Sequence, residues 1–167
     1  MFHCKSANFC LPLDNWCDGI RHCPHGDDED SCDQTCPDEC SCMAEVVVCR
    51  GSALNDVPSI QSNARLLNLE NNIISNLTNT SFVALHNLVE LNLAHNSIQE
   101  LREGYFVDLG NLLTLNISFN DIEVIGTASF AGLIRLRELD LTNNMISEIE
   151  ADAFVDLVSI LELDLSN

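Results

Sequence analysis

The sequence predicts an α/β solenoid with parallel strands on its concave face, preceded by a small disulfide-rich head. Three observations carry this. One phrase recurs four times at an interval of 24 residues: Leu67-x-Leu69-x2-Asn72-x-Ile74, then Leu91, Leu93, Asn96 and Ile98, then Leu115, Ile117, Asn120 and Ile122, then Leu139, Leu141, Asn144 and Ile146. Phe82, Phe106, Phe130 and Phe154 keep the same interval. All nine cysteines lie at or before Cys49, so a cross-linked head meets an apolar body near residues 50 to 60.

Within each unit the alternating leucines predict a short strand, the asparagine a turn and the phenylalanine an apolar return segment. This resembles the leucine-rich repeat. Such units cannot bury their apolar face alone and stack into a curved solenoid that offers its strand surface to partners. The repeats are expected over residues 61–167, four of them complete. The fifth begins at Ile160, reaches Leu163 and Leu165, and stops at Asn167 before its turn asparagine. With that end uncapped, and with no recognisable secretion signal before Cys4, the chain reads as a fragment.

Composition narrows the function. Seven Lys and Arg against 26 Asp and Glu give a formal net charge of -19, which argues against nucleic acid and against direct docking to anionic lipid. Nine cysteines in 49 residues indicate an oxidising compartment. Sequons at Asn76, Asn79 and Asn116 agree with a secretory route. No apolar run approaches the roughly 18 residues needed to span a bilayer. Catalysis finds no foothold: His3, His22, His25, His86 and His95 form no His-x3-His pair, and the chain has no Gly-rich phosphate loop and no Gly-x-Ser-x-Gly turn.

In the head, residues 1–32, the order Phe2-x-Cys4, Cys10-Leu11-Pro12, Cys17-Asp18-Gly19, Cys23 and Asp27-Asp28-Glu29-x2-Cys32 resembles the low-density-lipoprotein-receptor class A module. The resemblance implies disulfides Cys4–Cys23 and Cys17–Cys32 and leaves Cys10 without its family partner. A unit this small has little apolar core and needs cross-links and a metal. Closing the Cys17–Cys32 loop contributes about 3 kcal/mol in the chain-entropy account. The acidic run Asp27 to Asp30, with Asp18, is self-repelling: two carboxylates about 4 Å apart repel by roughly 4 kcal/mol at an effective dielectric of 20. A hard, oxygen-seeking cation relieves this, and calcium fits. By resemblance its ligands are the side chains of Asp18, Asp28 and Glu29 and the carbonyls of Asn15 and Ile20. His22 stands where the family has an aspartate, which predicts weakened calcium binding, with Asp27 a substitute ligand.

Residues 33–60 carry Cys36-x3-Cys40-x-Cys42-x6-Cys49, which resembles the amino-terminal cap of extracellular leucine-rich-repeat proteins. That resemblance implies pairs Cys36–Cys42 and Cys40–Cys49, with Val46 to Val48 as the capping strand. A four-thiolate zinc site is the rival reading.

Side chains between the inward leucines face outward with period two. The exposed pairs are therefore Leu66/Asn68, Glu90/Asn92, Thr114/Asn116, Glu138/Asp140 and Glu162/Asp164. Of these, Glu90, Asn92, Glu138, Asp140, Glu162 and Asp164 are the candidate ligand-binding residues. Neighbouring strands lie about 4.8 Å apart, so Glu138 is expected beside Glu162 and Asp140 beside Asp164. Such pairs cost about 1 kcal/mol or less each in water, and suit an Arg or Lys of a ligand. A solvated acidic face is the plain alternative. A glycan on Asn116 would cover the middle of this surface.

The order of class A module, cap and 24-residue repeats resembles the extracellular part of type C leucine-rich-repeat G-protein-coupled receptors, the relaxin-family peptide receptors and their invertebrate relatives. The resemblance implies a basic relaxin- or insulin-like peptide hormone on the concave face, and a heterotrimeric G protein reached through a seven-helix domain that this sequence lacks. It places the chain at the extracellular face of the plasma membrane. Only Asp33, Gln34 and Thr35 separate Cys32 from Cys36, a shorter link than in vertebrate relaxin receptors. A secreted or single-span adhesion or matrix protein is the alternative.

Overall fold

The structure is a computed structural model that describes residues 2–4, 10–11, 20–28, 36–60 and 63–167. Strands β1 (Phe2–His3) and β2 (Cys10–Leu11) form an antiparallel pair, and the Cys4–Cys23 disulfide, both of whose cysteines are buried, lies beside buried Leu11.

The body is one seven-stranded sheet. A hairpin of β3 (Ser41–Met43) and β4 (Val46–Val48) opens it, and β5 (Leu66–Asn68), β6 (Glu90–Asn92), β8 (Thr114–Asn116), β10 (Glu138–Asp140) and β12 (Glu162–Asp164) follow in parallel. The register advances by one whole repeat per strand, so Leu67, Leu91, Leu115, Leu139 and Leu163 stand side by side. Disulfides Cys36–Cys42 and Cys40–Cys49 tie the hairpin at the start of the sheet.

Behind the sheet lies one continuous core in which Leu67, Leu91, Leu115, Leu69, Leu93, Ile117, Ile74, Ile98 and Ile122 are all but sealed from solvent. Each such side chain contributes about 1.5 to 3 kcal/mol through burial. The phenylalanines form a spine through this core, with ring centroids 5.7, 6.2 and 5.4 Å apart from Phe82 through Phe106 and Phe130 to Phe154.

Asn72, Asn96, Asn120 and Asn144 are buried and run parallel to that spine. Asn120 shows the pattern: its amide nitrogen donates to Leu93 O and Ile117 O at 3.0 and 3.1 Å, and its oxygen accepts from Ile98 N at 3.0 Å. Each asparagine thus closes its own turn and bonds the preceding repeat, at about 1 kcal/mol per hydrogen bond.

The helical half of the α/β expectation fails. Among the described residues the return segments are turns, with no α-helix. Phe82, Leu85 and Leu88 recur every three residues, and Leu85 N and Leu88 N donate to Phe82 O and Leu85 O at 3.2 and 3.0 Å. Side chains three apart eclipse in such tight turns, which puts all three residues into the core. A second parallel sheet, β7 (Glu100–Leu101), β9 (Val124–Ile125) and β11 (Glu148–Ile149), links the return segments. Repeats approach closely there. A methyl group on Gly132, whose φ is +87°, would lie 2.7 Å from Val107 O.

Candidate ligand-binding site

Strands β5, β6, β8 and β10 each bury their central leucine and turn the two flanking residues to the open face; in β12, at the sheet edge, even Leu163 is exposed. The register sets Thr114 beside Glu138 and Glu138 beside Glu162, and sets Asn116 beside Asp140 and Asp140 beside Asp164. These six residues surround a hollow of about 250 Å³. Thr114 Oγ1 reaches Glu138 Oε2 at 3.4 Å across two strands. Glu90 and Asn92 stand one strand further back, beside Thr114 and Asn116. The Asn92 amide donates to Glu70 Oε2 at 3.4 Å, and Glu70 is ion-paired to Arg50 at 3.1 Å. Asn92 therefore belongs to a local network, and the four acids of β10 and β12 form the cluster.

The residues at the strand ends hold their own backbone as well. Asn68, Asn92, Asn116, Asp140 and Asp164 each accept, through Oδ1, the N–H two residues on, at 2.9 Å in every case. This side-chain turn needs an Asn or Asp oxygen, whichever carries it. Its signal in the sequence is the unbroken Asn or Asp series at that position. Hydrogen bonds from the Ser166 side chain and backbone hold the Asp164 carboxyl below its ordinary range, against a small opposing effect of desolvation.

A larger hollow, about 420 Å³, lies at the strand starts and is lined by Glu45, Asn63, Arg65, Asn87, Asn111 and Arg135 among others. Arg135 already donates to Asn111 Oδ1 at 2.8 Å and Arg65 faces Glu45 at 3.8 Å. It mixes both signs, Glu45 facing one of its two arginines, whereas β10 and β12 carry one sign only.

The sequons separate. Asn76 and Asn79 are exposed on a return segment. Asn116 lies on the strand face, and its Oδ1 accepts both Ser118 N and Ser118 Oγ, at 2.9 and 2.7 Å.

In the head, Asn15, Asp18 and Glu29 lie outside the described residues, as do Cys17 and Cys32. Ile20 is described and exposed; Asp27 and Asp28 are buried, and each turns its Oδ1 into the interior. Asp28 Oδ2 accepts the backbone N–H of His22 and, at 3.1 Å, of Cys23. Burial pushes the Asp28 carboxyl up, but these donors and the nearby His22 outweigh it and leave the group below its ordinary range. Among the described residues no group of three or more His, Cys, Asp or Glu side chains could hold a metal ion; Asp28 and the Ile20 carbonyl are the expected calcium ligands that fall within them.

The pattern described as "Leucine rich repeat" matches residues 62–122 and 110–167. Relaxin receptor 2 of Canis lupus familiaris is 30% identical over a stretch covering 54% of this chain and 16% of that protein. Among solved structures, a crystal structure of a TLR13–ssRNA13 complex superposes with a TM-score of 0.71 at 34% identity, covering 77% of this chain and 19% of that one. The chain thus spans under a fifth of the length of either. The first of these is a receptor by name. Among the described residues no helix is long and apolar enough to cross a membrane.

Proposed function

The chain belongs to the leucine-rich repeat family, and from that premise we propose that it is the ligand-binding part of a relaxin-receptor-like G-protein-coupled receptor. The observation that carries this is the acidic cluster of Glu138, Asp140, Glu162 and Asp164, in register on two adjacent strands. Like charges side by side weaken a sheet. A surface that keeps four of them together suits a basic peptide, through charge-assisted hydrogen bonds that offset the repulsion. Glu90 and Asn92 extend the contact toward the first repeats. The similarity to Relaxin receptor 2 supports the receptor reading and the hormone class. The TLR13 structure is a complex with single-stranded RNA, but a net charge of -19 opposes a polyphosphate here.

On this reading, residues 1–32 are the class A module, 33–60 the cap and 61–167 the hormone-binding repeats. Calcium is held by Asp18, Asp28, Glu29 and the carbonyls of Asn15 and Ile20, and orders the module. The protein acts at the extracellular face of the plasma membrane and signals through a seven-helix domain to a heterotrimeric G protein. Glycans on Asn76 and Asn79 clear the binding face. A sugar on Asn116 would occupy its centre, so either that sequon is unused or binding is confined to other repeats.

The test is the combined variant Glu138→Gln, Asp140→Asn, Glu162→Gln, Asp164→Asn. Asparagine keeps the Oδ1 acceptor, as native Asn92 and Asn116 do, so the change removes charge and leaves the turns intact. Affinity for a relaxin-like peptide should fall at least about tenfold, the equivalent of one desolvated charge pair. Unaltered affinity, measured by calorimetry, returns the four acids to a solvated surface.

A further inference from the structure

The hollow of about 420 Å³ at the strand starts meets a second, of about 370 Å³, lined by Leu113, Arg135, Arg137, Ser159 and Leu161. Leu113 and Arg135 line both, so the two form one trough along the amino ends of the strands. Three of the chain's seven Lys and Arg line it, Arg65, Arg135 and Arg137, against a single carboxylate, Glu45. In a chain of net charge -19 that is a local reversal of sign. The trough shares no lining residue with the acidic hollow of β10 and β12.

Its cations are weakly answered from within. Arg135 donates to Asn111 Oδ1, a neutral acceptor that orients the guanidinium and leaves its charge uncompensated. Arg135 and Arg137 are exposed on either side of buried Leu136, and among the described residues no carboxylate lies within ion-pair distance of them. Arg65 faces Glu45 at 3.8 Å, but both side chains are more than half exposed, and such a pair contributes little. A guanidinium carries five N–H donors in a fork that matches a carboxylate.

The register fixes the spacing. Leu66, Glu90, Thr114 and Glu138 stand side by side, so Arg65 and Arg137, each one residue earlier, are three strand spacings apart, about 14 Å. Val89 and Leu113 hold the same place on the two strands between and give the trough an apolar floor. An extended peptide rises about 3.3 Å per residue and turns alternate side chains to one side, so its residues i, i+2 and i+4 face the trough over about 13 Å. An apolar residue with an acid two places to either side therefore meets Arg65, the floor and the Arg135–Arg137 pair in order. A sulfated sugar chain would instead set charge against the apolar floor, which is unfavourable.

We propose that the trough at the strand starts is a docking groove for an extended acidic segment of a protein partner, whose two carboxylates, four residues apart, are held by Arg65 and by the Arg135–Arg137 pair. The groove is separate from the acidic face and stands without the hormone reading.

The probes are three end-blocked pentapeptides: Glu-Thr-Val-Thr-Glu, its isomer Glu-Glu-Thr-Val-Thr with the acids adjacent, and the neutral Gln-Thr-Val-Thr-Gln. Each is titrated against the full chain at low ionic strength, with the arginine Nε–H signals followed by NMR. The spaced acids should bind about tenfold tighter than the neutral peptide, as charge-assisted hydrogen bonds allow, and about threefold tighter than the adjacent acids, the worth of one more exposed ion pair. Arg135→Gln with Arg137→Gln, both at exposed positions, should erase the preference for spaced acids and leave the melting temperature unchanged. The four-acid amide variant should retain the preference, because its acids lie outside the trough. Equal binding of the two acidic isomers, a preference that survives the double arginine change or is lost in the amide variant, or binding of no peptide overturns the groove. So does tighter binding of a heparin tetrasaccharide through the same three arginines, which would make the partner a sulfated glycan.

Discussion

The head and the repeats solve the same stability problem by different means. In the repeats, every strand, turn and return segment meets a copy of itself, and Leu67, Asn72 and Phe82 are followed by equivalents that extend one core. Nothing after Cys49 needs a cross-link, and the sequence has none. In the head the described buried apolar cluster is Cys4, Leu11 and Cys23, two of which are a disulfide. A short chain with few apolar residues cannot offset its conformational entropy by burial, so a covalent bond takes over. Repetition thus substitutes for cross-linking, and perturbing each region should separate the two.

The sharpest break in that comparison is Phe106→Ala. The ring is sealed between Phe82 and Phe130, at 5.7 and 6.2 Å. Its removal leaves a cavity in the middle of the spine and should cost about 3 to 5 kcal/mol. Urea unfolding followed by far-UV circular dichroism reads it. Because repeats are coupled only to their neighbours, the transition should also broaden, with the halves of the solenoid parting. A loss under about 1 kcal/mol would show that the spine is not what couples the repeats.

Next in size is the Cys4→Ser, Cys23→Ser pair. The bond joins residues 19 apart, and releasing a loop of that length costs about 3 kcal/mol in the chain-entropy account. Amide exchange in residues 20–28 should rise sharply while that of the repeats stays as it was. Equal loosening of both regions would mean that the head braces the solenoid, and the two would no longer be independent solutions.

Residues that recur in equivalent surroundings are legible in the sequence alone. Leu67 and its equivalents, the buried asparagines and the phenylalanines repeat because one environment repeats, so period alone fixes both the strands and their register. The strand neighbours Glu138/Glu162 and Asp140/Asp164 follow from that register. Local geometry is harder to read. The three-residue spacing of Phe82, Leu85 and Leu88 signals tight turns, yet it also matches an apolar helix face of period 3.6. Glu100–Leu101 and its partners are strands of two residues, too short to show alternation. The Asn or Asp series at residues 68, 92, 116, 140 and 164 is visible, but its role in holding the turn is a hydrogen bond that composition does not show.

The smallest expected effect is the most selective between the two regions. Calcium should raise the melting temperature of the head and leave the repeats unchanged, because a ligand stabilises only the unit whose folded form binds it. The gain should be modest, since His22 occupies the place of an oxygen ligand, and it should vanish in the Asp28→Ala, Glu29→Ala variant. Acid should remove it too. Donation from His22 and Cys23 holds the Asp28 carboxyl below its ordinary value. That contribution is complete above the unfolded-state pKa and is lost as the pH falls through the lower folded value. Calcium titrations by differential scanning calorimetry at neutral pH and near the acid end of the carboxylate range test both statements. An undiminished calcium shift in the double variant would remove Asp28 and Glu29 from the site, and a shift in the transition of the repeats would place calcium in the wrong half of the molecule.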